Sequence, residues 1–325
     1  MQEARFYTQR GEQVRCELCP HYCELRDGQV GRCGVRKAQE GRLIATTYNR
    51  VGSVALDPIE KKPLYHFYPG TQILSVGTKG CNLKCQFCQN YRLAHDGKIR
   101  IQKISPKELV QLAQKRNSIG IAYTYSEPLV WYEYILDTAR KAKKAGLKNV
   151  LVTNGVINQK PLKELVPYID AVNLDVKAMR EEFYQDICCG EFESVKKTAE
   201  FIYDKVLLEI TNLLIPDLND SAGEIKELTK WIAGLDPNIP FHLARYFPRY
   251  KLNKERTSEA SMQKAKEIAK KNLNYVYLGN ISDRESQKTI CPKCGATLIQ
   301  RGYKVESKLE DGSCPECGKK QNIVF

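Results

Sequence analysis

At 325 residues the chain has room for about two domains and a large hydrophobic core, so its main body needs neither metals nor disulfides merely to fold. Hydrophobic residues at 42% and charged residues at 27% exclude a disordered or collagen-like chain, and no apolar run approaches the ~18 residues of a membrane span. The 51 Lys and Arg against 38 Asp and Glu leave a net charge of +13, which favours acidic partners but decides neither fold nor chemistry. The start, Met1-Gln2-Glu3-Ala4-Arg5, lacks the apolar stretch of a signal peptide, so a cytoplasmic protein with no membrane partner is expected.

The 13 cysteines fall into groups of four, three, two and four along the chain. Reduced cytosolic thiols in tight clusters point to metal binding and not to disulfides. Residues 1–68 are rich in Gly and Cys with little apolar periodicity, which suits a small four-cysteine metal-binding module. Its Cys16-x2-Cys19-x3-Cys23-x9-Cys33 spacing fits either zinc or a second iron–sulfur cluster.

From about Gln72 the pattern becomes alternating strand and helix. Apolar runs at 73–76, 119–125, 150–152, 171–174, 206–215, 241–244 and 275–278 read as buried parallel strands. Between them, Ser105-Pro106-Lys107-Glu108 carries a helix-capping signature, Ser221-Ala222-Gly223-Glu224 repeats the cap, and Gly146 closes a helix beginning near Glu127. Repeated β-α units imply a parallel sheet, open or curled, with chemistry at the C-terminal ends of its strands. The core is expected over 69–284.

Gly77-Thr78-Lys79-Gly80-Cys81-Asn82-Leu83-Lys84-Cys85-Gln86-Phe87-Cys88 follows the first of these strands. Three thiolates in one tight loop can hold a four-iron cluster while leaving one iron free. This Cys-x3-Cys-x2-Cys motif resembles the signature of the radical SAM superfamily. That resemblance implies a 4Fe–4S cluster on Cys81, Cys85 and Cys88, whose fourth iron binds S-adenosyl-L-methionine (SAM). Reductive cleavage then yields a 5′-deoxyadenosyl radical that abstracts hydrogen from a substrate. It also implies an α/β partial (β/α)6 barrel like that of pyruvate formate-lyase activating enzymes, and an electron donor such as flavodoxin or ferredoxin.

The same resemblance assigns cofactor contacts to Phe87 in the loop and to Ser126 and Glu127, where the family carries a Gly-Gly-Glu motif. Glu127 would hold the methionine ammonium. Thr153 and Asn154 of Thr153-Asn154-Gly155, and Asp175 and Lys177 of Asn173-Leu174-Asp175-Val176-Lys177, resemble further cofactor-contacting segments of the activases. Either His242 or Arg245, at the end of the sixth strand, would face the cofactor; His242 is the one assigned here. With only four histidines and no Walker A or Gly-x-Gly-x-x-Gly loop, triad hydrolysis and nucleotide binding of those kinds find no material.

Cys16-Glu17-Leu18-Cys19-Pro20-His21-Tyr22-Cys23, Gly31-Arg32-Cys33-Gly34-Val35-Arg36, Asp57-Pro58-Ile59-Glu60-Lys61-Lys62-Pro63-Leu64-Tyr65-His66 and Ile215-Pro216-Asp217-Leu218-Asn219-Asp220 resemble the AmmeMemoRadiSam system radical SAM enzymes over nearly the whole chain. No Asp-Gly-Pro-Gly-Arg-like stretch precedes the loop, which weighs against activation of a glycyl radical enzyme, the alternative reaction. In residues 285–325, Cys291-Pro-Lys-Cys294-Gly and Cys314-Pro-Glu-Cys317-Gly are matched knuckles of a zinc-ribbon-like module, with four thiolates closing a structural site. Cys188 and Cys189 read as packing residues. The expected substrate is a macromolecule, a protein before RNA. A nucleic-acid-binding ribbon protein with a non-catalytic cluster is the alternative of another class, and release of 5′-deoxyadenosine separates the two.

Overall fold

A computed structural model describes residues 2–96, 99–283 and 285–325. Its centre is an eight-stranded sheet: β1 (Ser53–Pro58), β2 (Gln72–Gly77), β3 (Gly120–Tyr123), β4 (Lys148–Thr153), β5 (Ala171–Asp175), β6 (Leu207–Leu214), β7 (Phe241–Arg245) and β8 (Val276–Gly279). Strands β2 to β8 are parallel and lie side by side in chain order; β1 runs antiparallel beside β2 with Val54 opposite Val76. All seven apolar runs of the sequence fall on the parallel strands. Their composition follows from burial on both faces: β2, β3 and β5 are closed to solvent along nearly their whole length.

The crossovers are helical: α1 (Pro106–Lys115), α2 (Tyr132–Lys144), α3 (Gln159–Leu165), α4 (Phe192–Ile202), α5 (Ala222–Leu235) and α6 (Glu259–Ala269). Six β-α units with sequential order and no pairing of β8 back to β1 or β2 among the described residues make a partial (β/α)6 barrel. Ser105 caps α1 through the Glu108 amide in a full capping box, and Ser221 caps α5. No helix among the described residues is long and apolar enough to cross a membrane.

The barrel interior is filled in its lower half. The segment after β1 enters it, and Ile59, Leu64 and Phe67 pack on Ile73, Ala122, Val150 and Ala171. The central sheet thus begins upstream of residue 69, with a strand whose mixed sequence, Ser-Val-Ala-Leu-Asp-Pro, carries no parallel-strand signature. Residues before it form two small antiparallel sheets, one of Tyr7–Arg10, Gln13–Cys16 and Glu24–Arg26, the other of Gln2–Glu3, Arg36–Gln39 and Arg42–Ala45. After β8, Thr289–Ile290, Thr297–Arg301 and Val305–Ser307 make a three-stranded antiparallel ribbon.

Candidate active site

The loop after β2 carries Cys81, Cys85 and Cys88 across the C-terminal mouth of the barrel. All three line one cleft of about 270 Å³, together with Phe87, Ser126, Glu127, Asn154, Asp175 and Lys177. Leu83 N–H and the Asn154 side-chain amide donate toward Cys81 Sγ at 3.4 and 3.8 Å. Asn154 also donates to Asn82 Oδ1 at 3.0 Å, and Asn82 in turn donates to the Val156 carbonyl at 2.7 Å, so β4 fixes the loop. Gly155 follows Asn154 at φ +73°, where a Cβ would stand 2.6 Å from Leu174 Cδ1; the turn that aims Asn154 at the loop needs glycine on both counts.

Glu127 is 3% exposed. Its carboxylate accepts from Thr153 Oγ1 at 2.6 Å, Asn154 N–H at 2.8 Å and Leu129 N–H at 2.9 Å, the last capping the short helix Pro128–Trp131. Burial pushes its carboxyl up to about 7 against the pull of these donors. A carboxylate offers about four lone-pair sites, so three donors leave one free toward the cleft. The same side chain both caps this short helix and lines the cleft. Thr153 acts behind Glu127, from a buried position.

Lys177 Nζ donates to Asp175 Oδ2 at 2.7 Å. Burial opposes its charge, but Asp175 and the Cys85 thiol outweigh that and raise the ammonium above its ordinary value. Phe87 is buried against Phe183, with ring centroids 6.1 Å apart. The donor set therefore fits an iron–sulfur cluster with an amino-acid ligand: three thiols for iron, a carboxylate for an ammonium and an ammonium for a carboxylate.

His242 is not among these residues. Its Nε2 contacts Glu209 Oε2 at 2.6 Å on the barrel floor, among Tyr65 and Tyr277. Strand alternation puts His242 and Ala244 on one face, but Ala244 is the residue that reaches the cleft, one pleat repeat nearer the mouth. Thr211, Leu213, Tyr125 and Asn280 also line the cleft; the first two are alternate positions on β6 that nothing in their residue type marks out. Cys188, read from the sequence as a packing residue, is fully buried with its thiol beside Cys85; Lys84 N–H donates to its carbonyl at 2.7 Å.

On the floor, Arg301 of the ribbon enters from below. It donates to the carbonyls of Gln287 and Tyr65 at 2.8 and 2.6 Å and to Thr289 Oγ1 at 2.9 Å, with its guanidinium 4.1 Å from the Tyr65 ring centre. His66 Nδ1–H donates to the Asn322 carbonyl at 3.0 Å, which leaves Nε2 to accept from Tyr277 O–H at 2.8 Å. In the ribbon itself, Cys291, Cys294, Cys314 and Cys317 present their sulfurs within 4.8 Å of one another, a geometry for a single ion.

A parallel barrel with a three-thiol loop over its mouth and an acid beside it defines an iron–sulfur enzyme of the SAM-cleaving class. The family model described as Radical SAM superfamily matches residues 75–232. The uncharacterized protein MJ0808 of Methanocaldococcus jannaschii is 38% identical over 337 residues, covering 100% of both chains. Pyruvate formate-lyase 1-activating enzyme of Escherichia coli K12 is 27% identical over 186 residues, 54% of this chain and 75% of its own. The structure of Streptococcus suis SuiB bound to S-adenosylmethionine aligns over 65% of this chain and 52% of that one, with a TM-score of 0.52 and 17% identity, a likeness of fold. The chain belongs to the radical SAM superfamily.

Proposed function

We propose that this protein is a radical SAM enzyme of the AmmeMemoRadiSam branch, acting on a macromolecule, with protein favoured over RNA. The observation that carries the reading is the meeting of Cys81, Cys85 and Cys88 with Glu127, Asp175 and Lys177 in one cleft at the barrel mouth. The cluster and SAM, when bound there, supply one-electron cleavage of a sulfonium and abstraction of a substrate hydrogen. The chain's own residues bind and orient. Glu127 accepts from the methionine ammonium at its remaining lone pair, Lys177 meets the carboxylate, and Asp175 holds Lys177 in place. Phe87 and Ser126 wall the cofactor, while Thr153 and Asn154 fix Glu127 and the loop. A filled barrel floor leaves the mouth as the route for substrate and keeps water from below.

A low-potential donor such as flavodoxin or ferredoxin supplies the electron, in the cytoplasm. The chain works in three parts, a four-cysteine module before β1, the core from β1 to β8 and a zinc-binding ribbon (285–325). Similarity to pyruvate formate-lyase activating enzymes supports a protein substrate by analogy. Joint replacement of Cys81, Cys85 and Cys88 by Ala should remove a cluster's worth of iron and all 5′-deoxyadenosine formation under dithionite; retained cleavage would refute the assignment. Cell extract should stimulate cleavage in the parent protein. A stimulating fraction that passes a small-molecule filter would refute the macromolecular substrate, and protease or RNase sensitivity would choose between protein and RNA.

A further inference from the structure

The four N-terminal thiols differ in arrangement from the ribbon's four. Cys16 and Cys33 are buried, and Cys19 and Cys23 are half-exposed. All four stand within electrostatic range of one another. Yet among the described residues no three of them gather within the 4.8 Å shared by the ribbon thiols. One tetrahedral ion bound at ~2.3 Å from each sulfur needs thiols ~3.8 Å apart, whereas a cluster with ligands on several irons needs some of them farther. Cys81, Cys85 and Cys88 share the wider spacing.

Arg36 is the second observation. Its guanidinium is 1% exposed, pairs with Glu133 at 2.9 Å through Nη1, and donates to the Arg5 carbonyl through Nη2. Its Nε, also buried, has no partner. After Glu133, the thiol positions of Cys16 and Cys33 bear most on this cation. A buried N–H without an acceptor calls for an explanation, and a cluster sulfur beside the two thiolates is an acceptor. A fixed cation also stabilises the negative charge that a thiolate-ligated cluster carries. Arg32 N–H also reaches Cys23 Sγ at 3.5 Å.

The module also sits directly on the cleft loop. Cys81 N–H donates to the Cys33 carbonyl at 3.2 Å, and His21 Nε2–H donates to the Asn82 carbonyl at 2.7 Å. One hydrogen bond therefore joins a ligand of one site to a ligand of the other.

We propose that Cys16, Cys19, Cys23 and Cys33 hold a second iron–sulfur cluster that relays single electrons through Cys33 and Cys81 to the cleft. The proposal rests on the cleft reading given above. The external donor is oxidised by one electron, the outer cluster is reduced and reoxidised in turn, and the cleft cluster gains that electron; no proton or bond moves.

The test uses the full chain reconstituted anaerobically with iron and sulfide. In the Cys81→Ala, Cys85→Ala, Cys88→Ala variant, iron and sulfide should fall by about half and not to zero. Dithionite should then raise a paramagnetic signal that SAM leaves unchanged. Loss of all iron with two equivalents of zinc would overturn the proposal, and the single Cys88→Ala variant provides the same comparison if the triple variant does not fold. Iron unchanged by the triple replacement would overturn the cleft reading instead, which keeps the two failures apart. For the relay, Cys23→Ser should slow reduction of the cleft cluster by reduced ferredoxin by about an order of magnitude, with the extent of its reduction by dithionite unchanged. An unchanged ferredoxin rate would overturn the relay.

Discussion

Arg301→Met takes the charge out of the barrel floor while keeping most of the aliphatic stem over Tyr65. Three hydrogen bonds go with it, to Gln287, Tyr65 and Thr289. Thr289 keeps its contact with Tyr277 at 2.9 Å, but the Tyr65 carbonyl loses its guanidinium donor inside the protein. Bonds to a charged group are worth about 1.5–3 kcal/mol each, and relief from burying the guanidinium offsets much of the sum, leaving a loss of about 3 kcal/mol. The lost contacts join the ribbon to the barrel, so the ribbon should open more often while the barrel stays folded. At RT of about 0.6 kcal/mol, this makes opening roughly 150 times more frequent. Hydrogen exchange on the metal-loaded protein reads it directly. Amides of Thr289–Ile290 and Thr297–Arg301 should lose about two orders of magnitude of protection, with β3 and β4 unchanged. Equal protection in variant and parent would refute the claim that Arg301 anchors the ribbon.

Glu127→Gln should weaken SAM binding about tenfold to a hundredfold in equilibrium dialysis with iron content unchanged, since a charge-assisted contact becomes a neutral one; equal affinity would take Glu127 out of cofactor contact. Gly80→Ala should cost about 3 kcal/mol in a denaturant titration. Gly80 sits at φ +107°, and a Cβ there would lie 2.6 Å from Val35 Cγ1 and 2.9 Å from the Cys33 carbonyl. Burial lowers the His66 imidazole to about 4, so the folded state resists its protonation. Above the unfolded value of about 6.5 both states are neutral and His66 adds no pH dependence; as pH falls, only the unfolded state gains the proton and stability declines, by about 1.4 kcal/mol at pH 5.5. Urea midpoints at pH 7.5 and 5.5 should therefore differ less in His66→Gln than in the parent protein.

The parallel strands were legible because a strand covered on both faces must be apolar throughout, and a run such as Val150-Leu151-Val152 has no polar position to blur it. Ser105 and Ser221 were legible for a local reason: a cap is a contact within three residues. What escaped depends on contacts far apart in sequence. Strand β1 reads as loop because its pairing to β2 is specified by the neighbour and not by its own period. Alternation identifies the face of β7 on which His242 lies but not its depth, and the structure places His242 on the floor with Ala244 at the cleft. Cys188 shows the same limit, since its adjacency to Cys85 arises from the path between β5 and α4.

The closed floor has a consequence for biosynthesis. Each parallel strand pairs with its successor in the chain, so the barrel can grow one unit at a time as the polypeptide leaves the ribosome. Arg301 meets Tyr65 across 236 residues, and His66 meets Asn322 across 256. These contacts cannot form until translation is almost complete. Until then His66 lacks its Asn322 partner and the Tyr65 carbonyl its Arg301 donor, so these polar groups of the floor are the last to be satisfied.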